Sequence, residues 1–343
     1  MTTKNNILFP SEWHPQSAVQ LTWPHRDTDW YDMLDEVNEC FVAIATEIAK
    51  RQKLIIVSPD CDGIKPLINS DFHHNIRFYT VPTNDTWARD HGGISVFIDN
   101  KPYIYDFAFN GWGMKFAANF DNQITKNLFS QHAFNAEISY SNQQKFVLEG
   151  GSVENDGKGT LLTTSECLLS DNRNNLTKSE VDEKLKQLFG LKQVLWLDHG
   201  YLSGDDTDSH VDTLARLCNE DTIAYVKCNN TEDEHYSELK KMENQLLQFK
   251  TLSGKPYCLI ELPMADKVFF ESERLPATYA NFLIINDAVL VPTYNSDKDS
   301  EAIQQIQKAF PDREIIGINC IPLIKQHGSL HCVTMQYPAG FVN

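Results

Sequence analysis

The chain has 343 residues, enough for a large buried core in one domain or two. Thirty Lys+Arg against 47 Asp+Glu give a formal net charge of −17, and no basic patch stands out, which argues against nucleic acid as a partner. Hydrophobic residues make up 41%, and no apolar run approaches the roughly 18–20 residues of a membrane span. The opening Met1–Pro10 has neither a long apolar stretch nor a small-residue cleavage site, so the expectation is a cytoplasmic protein with no membrane contact. The acidity serves solubility and also sets up a field that attracts small cations.

Residues 1–24 read as irregular or extended. A helix is predicted from about Thr28 to Arg51, because Met33, Val37, Phe41, Ile44 and Ile48 recur at helical spacing. Lys53–Ser58 and Ile76–Val81 read as strands, the second delivering the chain to a loop that carries Trp87-Ala-Arg-Asp90. Gly93–Ile98 and Tyr103–Phe107 form a predicted hairpin. Lys145–Glu149 and Thr160–Thr164 form another, with Glu149-Gly-Gly at its base. A helix over about 177–189 leads to the strand Gln193–Leu197, followed by the polar loop 200–208. Strands are then predicted near 213–217, 222–226, 257–263, 281–286, 288–292, 314–319 and 333–336, with helices near 233–249 and 300–310. No linker or composition break divides the chain, which predicts a single mixed α/β domain over residues 1–343.

None of the eight cysteines forms a C-x-x-C pair, so a zinc ribbon is not expected, and most read as buried thiols. Cys332 differs, because His327, a glycine and His331 precede it. A thiol is a weak nucleophile until neighbours activate it. Asp208-Ser-His210-Val-Asp212 places a histidine and a carboxylate two residues apart, on the same side of an extended segment. The motif fits general acid/base work, a metal site or a solvated acidic loop. Asp90 and Glu149 are each followed closely by Gly-Gly, which permits near approach of backbone to a ligand. One cysteine, one histidine and several carboxylates meet the needs of thiolate attack on the central carbon of a guanidinium.

In this order, Trp-Ala-Arg-Asp90, Leu-Glu149-Gly-Gly-Ser, Gly-Asp-Asp-Thr-Asp-Ser-His210-Val-Asp212 and Leu-His-Cys332-Val-Thr closely resemble the motifs of the agmatine deiminase family. That family also contains the bacterial peptidylarginine deiminases and belongs to the guanidino-group-modifying superfamily. Pro10-Ser-Glu-Trp13, Thr22-Trp-Pro24 and Thr163–Asn174 add to the likeness, which runs from about residue 8 to 340.

The resemblance implies a five-bladed α/β propeller, the pentein fold, with pseudo-five-fold symmetry and a central active-site channel. It implies hydrolysis of agmatine to N-carbamoylputrescine and ammonia, with no metal or organic cofactor. Cys332 would be the nucleophile that forms an amidino-cysteine, and His210 the general acid/base. Asp90 and Asp212 would hold the guanidinium, with Glu149 beside His210 or the guanidinium, and Trp87 and Trp112 would wall the channel. The substrate's amine needs a negative partner, for which Asp85, Asp205, Asp206 and Asp208 are candidates. The family often forms dimers or larger assemblies. Around Asp90, His210 and Cys332 the neighbours depart from the usual family pattern, as in Arg89-Asp90-His-Gly-Gly. Free or peptidyl arginine as substrate, and amidino transfer with the same chemistry, are therefore the competing readings.

Overall fold

The computed structural model describes residues 6–343. The part of the irregular opening that falls on residues 1–5 lies outside them. Five sheets contain the same unit: an antiparallel strand pair, a helix, and a third strand parallel to the second. Ile94–Ile98 pairs antiparallel with Lys101–Ala108, and the helix Ile124–Ser130 leads to the parallel strand Ser139–Val147. Val153–Asn155 and Thr160–Thr164 are followed by a helix and Gln193–Leu197. Ala215–Leu217 and Thr222–Lys227 precede Cys258–Pro263 in the same way, as Leu283–Ile285 and Ala288–Thr293 precede Glu314–Asn319. The last unit joins both ends of the chain. Thr334–Pro338 pairs antiparallel with Gln16–Thr22, which runs parallel to Lys53–Ser58.

Four helices of eleven residues or more serve as crossovers: α1 Leu34–Ala49, α2 Lys178–Phe189, α3 Tyr236–Leu246 and α4 Asp299–Ala309. Each packs against a strand of its own unit and also against a strand of the unit before it. In α1 the buried stripe is Val37, Phe41, Ile44 and Ile48, the expected one. A capping box between Thr177 and Glu180 starts α2, and Gly190 in the left-handed conformation ends it.

The structure corrects or sharpens the sequence expectation at four places. The first helix begins at Leu34 after a 3-10 turn, Tyr31–Met33, rather than at Thr28. The opening, read as irregular or extended, is extended at Gln16–Thr22, a central strand that bonds on both sides. Lys145–Val147 is not a hairpin partner of Thr160–Thr164. It ends the strand Ser139–Val147 of the preceding sheet, and the hairpin partner is Val153–Asn155. Residues Ala88–His91, expected in a loop, form one helical turn.

The five units place five polar residues alike. Asp90, Glu149, Asp212, Asn281 and Cys332 each lie just before the first strand of a unit. All five are buried.

Candidate active site

Gly151 shows how closely these segments meet. A Cβ at this position would lie 2.7 Å from His210 Nδ1, 2.9 Å from Asp90 Oδ1 and 3.1 Å from Asp212 Oδ2. The glycine exists here because three functional side chains converge on its Cα. Its N–H donates to Asp90 Oδ1 at 3.0 Å. The other oxygen, Asp90 Oδ2, accepts from the Trp112 indole at 2.9 Å. Trp112 adopts a left-handed backbone conformation (φ 53°) that aims its ring at this carboxyl.

His210 does not lie on an extended segment as expected. It caps the 3-10 turn Val211–Thr213, which still turns both His210 and Asp212 toward Gly151. His210 Nδ1 is 3.6 Å from Asp90 Oδ1, and neither ring nitrogen has a hydrogen-bond partner. Asp212 Oδ1 and Glu149 Oε2 are likewise buried without a partner. Unpaired buried polar atoms are costly, so such a cluster is organised to receive a polar group.

Cys332 Sγ lies 3.4 Å from Asn281 Oδ1, which also accepts the Cys332 backbone N–H at 3.3 Å. Burial, then the charges of Asp212 and Asp90, push the Cys332 thiol well above its ordinary value. Burial, reinforced by the Asp212 charge, also pushes Asp90 well up, although Trp112 and Gly151 hydrogen-bond to it. Burial lowers His210 to about 3, keeping the ring neutral. Burial would also raise Asp212, but hydrogen bonding and charge from His331, with His210 and Arg216, hold it below the usual carboxylate value. Burial raises Glu149, and Arg173 opposes this from 3.0 Å.

A cavity of about 170 Å³ opens beside Cys332 and Asp90. Trp87, Trp112 and Phe116 supply aromatic lining, and the rest includes Asp29, Asp85, Asp205, Asp206 and His327. Five aspartates line it in all, and no Lys or Arg among the described residues does. Gly328 packs directly on the face of Trp87, where any side chain would collide.

The lining aspartates are not equivalent. Asp85 accepts from the indoles of Trp30 (2.8 Å) and Trp87 (2.9 Å) and from Thr86 N (2.8 Å). Burial nevertheless lifts it to about 6. Asp205 accepts from Thr207 Oγ1 (2.6 Å) and Ser209 N (2.7 Å), which folds the loop ahead of His210. Asp208 faces away into ion pairs with Lys115 and Arg173. The Asp29 and Asp206 carboxylates, by contrast, make no hydrogen bond among the described residues. Asp206 is half-exposed, 4.0 Å from His327 Nδ1.

Arg173, Asn281 and Glu12 were not singled out by sequence. Arg173 joins Glu149 to Asp208 with its side chain fully buried. The signal for Asn281 is positional, since it occupies in its unit the place that Cys332 holds in the last. Three groups of side chains bring metal-ligating atoms together: Glu149–Cys167–His210, Glu12–Glu154–His331 and Asp233–Glu234–His235. An arginine already answers the negative charge in each, namely Arg173, Arg216 and Arg274. These donor sets therefore suit structural ion pairs better than a resident cation.

Residues 8–338 match the family described as Porphyromonas-type peptidyl-arginine deiminase. The chain belongs to that family. It is similar to a Porphyromonas gingivalis structure provisionally named arginine deiminase, with 55% identity, TM-score 0.95, and 98% of this chain and 100% of that one covered. A C. jejuni agmatine deiminase, a cysteine-to-serine variant with substrate bound, matches at 37% identity and TM-score 0.91 over 98% of both chains. A Vibrio parahaemolyticus protein provisionally named agmatine deiminase is 32% identical, with 98% of each chain covered. The fold of this family member is a mixed α/β fold like that of agmatine deiminase. No helix among the described residues is long and apolar enough to cross a membrane.

Proposed function

We propose that this family member hydrolyses agmatine to N-carbamoylputrescine and ammonia. The observation that carries the reading is the cavity itself, which ends at a cysteine and is lined by five aspartates and no lysine or arginine. Such a cavity favours a substrate that is cationic at both ends. Free arginine carries a carboxylate, and this lining offers it no lysine or arginine among the described residues. The relatives named agmatine deiminase agree with the reading.

In the reaction, the guanidinium lies among Asp90, Asp212 and Glu149; the unpaired Asp212 Oδ1 and Glu149 Oε2 accept its N–H groups, and Asp90 adds charge while its oxygens also hold Gly151 and Trp112. The Cys332 thiol gives its proton to His210, and the thiolate sulfur attacks the central carbon and forms a C–S bond. The C–N bond to one terminal nitrogen breaks, and His210 supplies the proton with which ammonia leaves. Water then attacks the amidino carbon and gives a proton to His210. The C–S bond breaks, and the ureido product departs with the thiol restored. Trp87 and Trp112 flank the alkyl chain, and Asp206 and Asp29 face the amine. Asp85 and Asp205 add negative potential while their oxygens hold indoles and a loop.

The same proposal takes residues 1–343 as one five-bladed α/β propeller domain, supported by the five repeated strand-pair, helix and strand units. A cytoplasmic setting fits eight free cysteines.

Product analysis with agmatine, free arginine and a blocked arginine peptide tests the reading, each with the parent and Cys332→Ala. Ammonia and N-carbamoylputrescine from agmatine alone, lost in the variant, are expected. Turnover of an arginine compound instead would overturn the substrate assignment, which the name of the Porphyromonas gingivalis relative makes the competing one.

A further inference from the structure

Asp212 is gripped from behind by two buried side chains. His331 Nδ1 lies 2.7 Å from Asp212 Oδ2, and His331 Nε2 lies 2.7 Å from Glu12 Oε2. Glu12 is itself fixed: its Oε1 accepts from Ile284 N at 2.7 Å and its Oε2 from Arg216 Nη2 at 2.8 Å. Arg216 Nη2 also lies 3.1 Å from His331 Nε2, and the His331 backbone N–H donates to Asn281 Oδ1 at 2.9 Å, so the residue is held at both ring nitrogens and at its backbone. Neither Glu12 nor His331 lines the substrate cavity. Asp212 Oδ1, the oxygen His331 leaves alone, has no partner.

We infer that Glu12 and His331 are positioning residues for the guanidinium-holding carboxylate. Glu12 orients the imidazole, whose Nδ1–H occupies Asp212 Oδ2 and fixes the carboxylate plane, so that Oδ1 alone is presented to the substrate. A buried carboxylate tied at one oxygen cannot rotate away, and outer partners of this kind set ligand orientation without touching the ligand. The arrangement also explains why a histidine directly precedes the cysteine. One backbone step turns Cys332 toward the cavity and His331 toward Asp212, and Asn281 Oδ1 binds the N–H of both. The nucleophile and the group that holds its target are thereby indexed to each other. The inference rests on the site's reading as a guanidinium site.

Three variants separate this from a merely structural role. His331→Asn keeps an N–H donor near the place of Nδ1, His331→Leu keeps bulk without a donor, and Glu12→Gln keeps shape without charge. Two readouts apply: agmatine KM and kcat per folded protein, and the agmatine concentration that half-protects Cys332 from iodoacetamide, followed by peptide mass. His331→Leu is expected to raise KM and the half-protection concentration by about 10- to 100-fold, with a smaller change in kcat. His331→Asn is expected to recover most of that loss, and Glu12→Gln to fall between. The alkylation rate without agmatine is measured for each variant, and its protection is expressed relative to that rate. Equal losses in His331→Asn and His331→Leu, or losses in kcat with protection unchanged, would overturn the inference. If His331→Leu does not fold, parent-like protection in Glu12→Gln would overturn it. A parent that binds but does not turn over agmatine, with protection still following this order, would sink the proposed function and leave the positioning role standing.

Discussion

In the free protein, burial, followed by the charge of Asp212, pushes both the Cys332 thiol and the Asp90 carboxyl well above their ordinary values. A guanidinium arriving between them reverses the balance, because a nearby cation favours the charged form of each. The substrate is thus part of what activates the thiol. The sign of the pH dependence follows. Asp90 is raised in the free site and lowered once the cation binds, so binding releases a proton and tightens as pH rises between the two values. Cys332→Ala isolates the carboxylate contribution. Calorimetric titration of that variant with agmatine in buffers of different ionisation enthalpy should show net proton release on binding. Uptake, or no exchange, would mean that Asp90 is already ionised. Gly151 gives a steric counterpart. Gly151→Ala places a methyl among His210, Asp90 and Asp212. It should cost about 100-fold or more in kcat/KM, since displacements of an ångström at a reacting centre have that effect. Overpacking should cost stability only about 1–3 kcal/mol in a thermal or denaturant melt.

The elements that carry these residues were legible to different degrees. The crossover helices were visible because each buries one apolar stripe, and Thr177-x-x-Glu180 marks the start of α2 in the sequence itself. Loss of that cap in Thr177→Ala should lower stability by about 1 kcal/mol without changing activity, measurable as a shifted urea midpoint at constant slope. Strand partners were less visible. Ser139–Val147 is polar along most of its length and largely half-buried, so nothing in its pattern separates an edge strand from a hairpin arm. Gln16–Thr22 is buried on both faces and shows no alternation to read. Within the site, Cys332, His210 and the carboxylates stood out because reactive side chains beside glycine and histidine are unusual. Asn281, Arg173 and Glu12 work by holding other groups. Their partners lie far away in sequence, and only the folded chain brings them together.

At the scale of the molecule, the proposed propeller would close through the pairing of Thr334–Pro338 with Gln16–Thr22, which joins the two ends of the chain in one sheet. Three contacts tie that strand to the interior. Tyr337 is fully buried and bonds Gln20 Oε1 at 2.7 Å, Gln336 Oε1 accepts from Arg89 Nη1 at 2.6 Å, and Met335 lies against Gly92 and Gly150. Arg89 N in turn donates to the Cys332 carbonyl at 3.0 Å, so losing the strand also releases the segment before it. A chain ending at Val333 should therefore lack a cooperative melt and all activity, although Cys332 is present. The order of the chain matters less than the pairing. Leu8 is paired with Phe97, and Phe341 packs on the same Phe97 ring at 5.5 Å, so both ends of the described chain meet on one strand. A short flexible linker can span that gap. The turn at Gly254 is exposed with open space around it, the kind of tip that tolerates new termini. A circular permutant joined through such a linker and reopened at Ser253–Gly254 should fold and keep kcat/KM within about tenfold of the parent, because every strand pair survives. If the permutant unfolds while the truncated chain melts cooperatively, ring closure by the two termini is not what holds the site together.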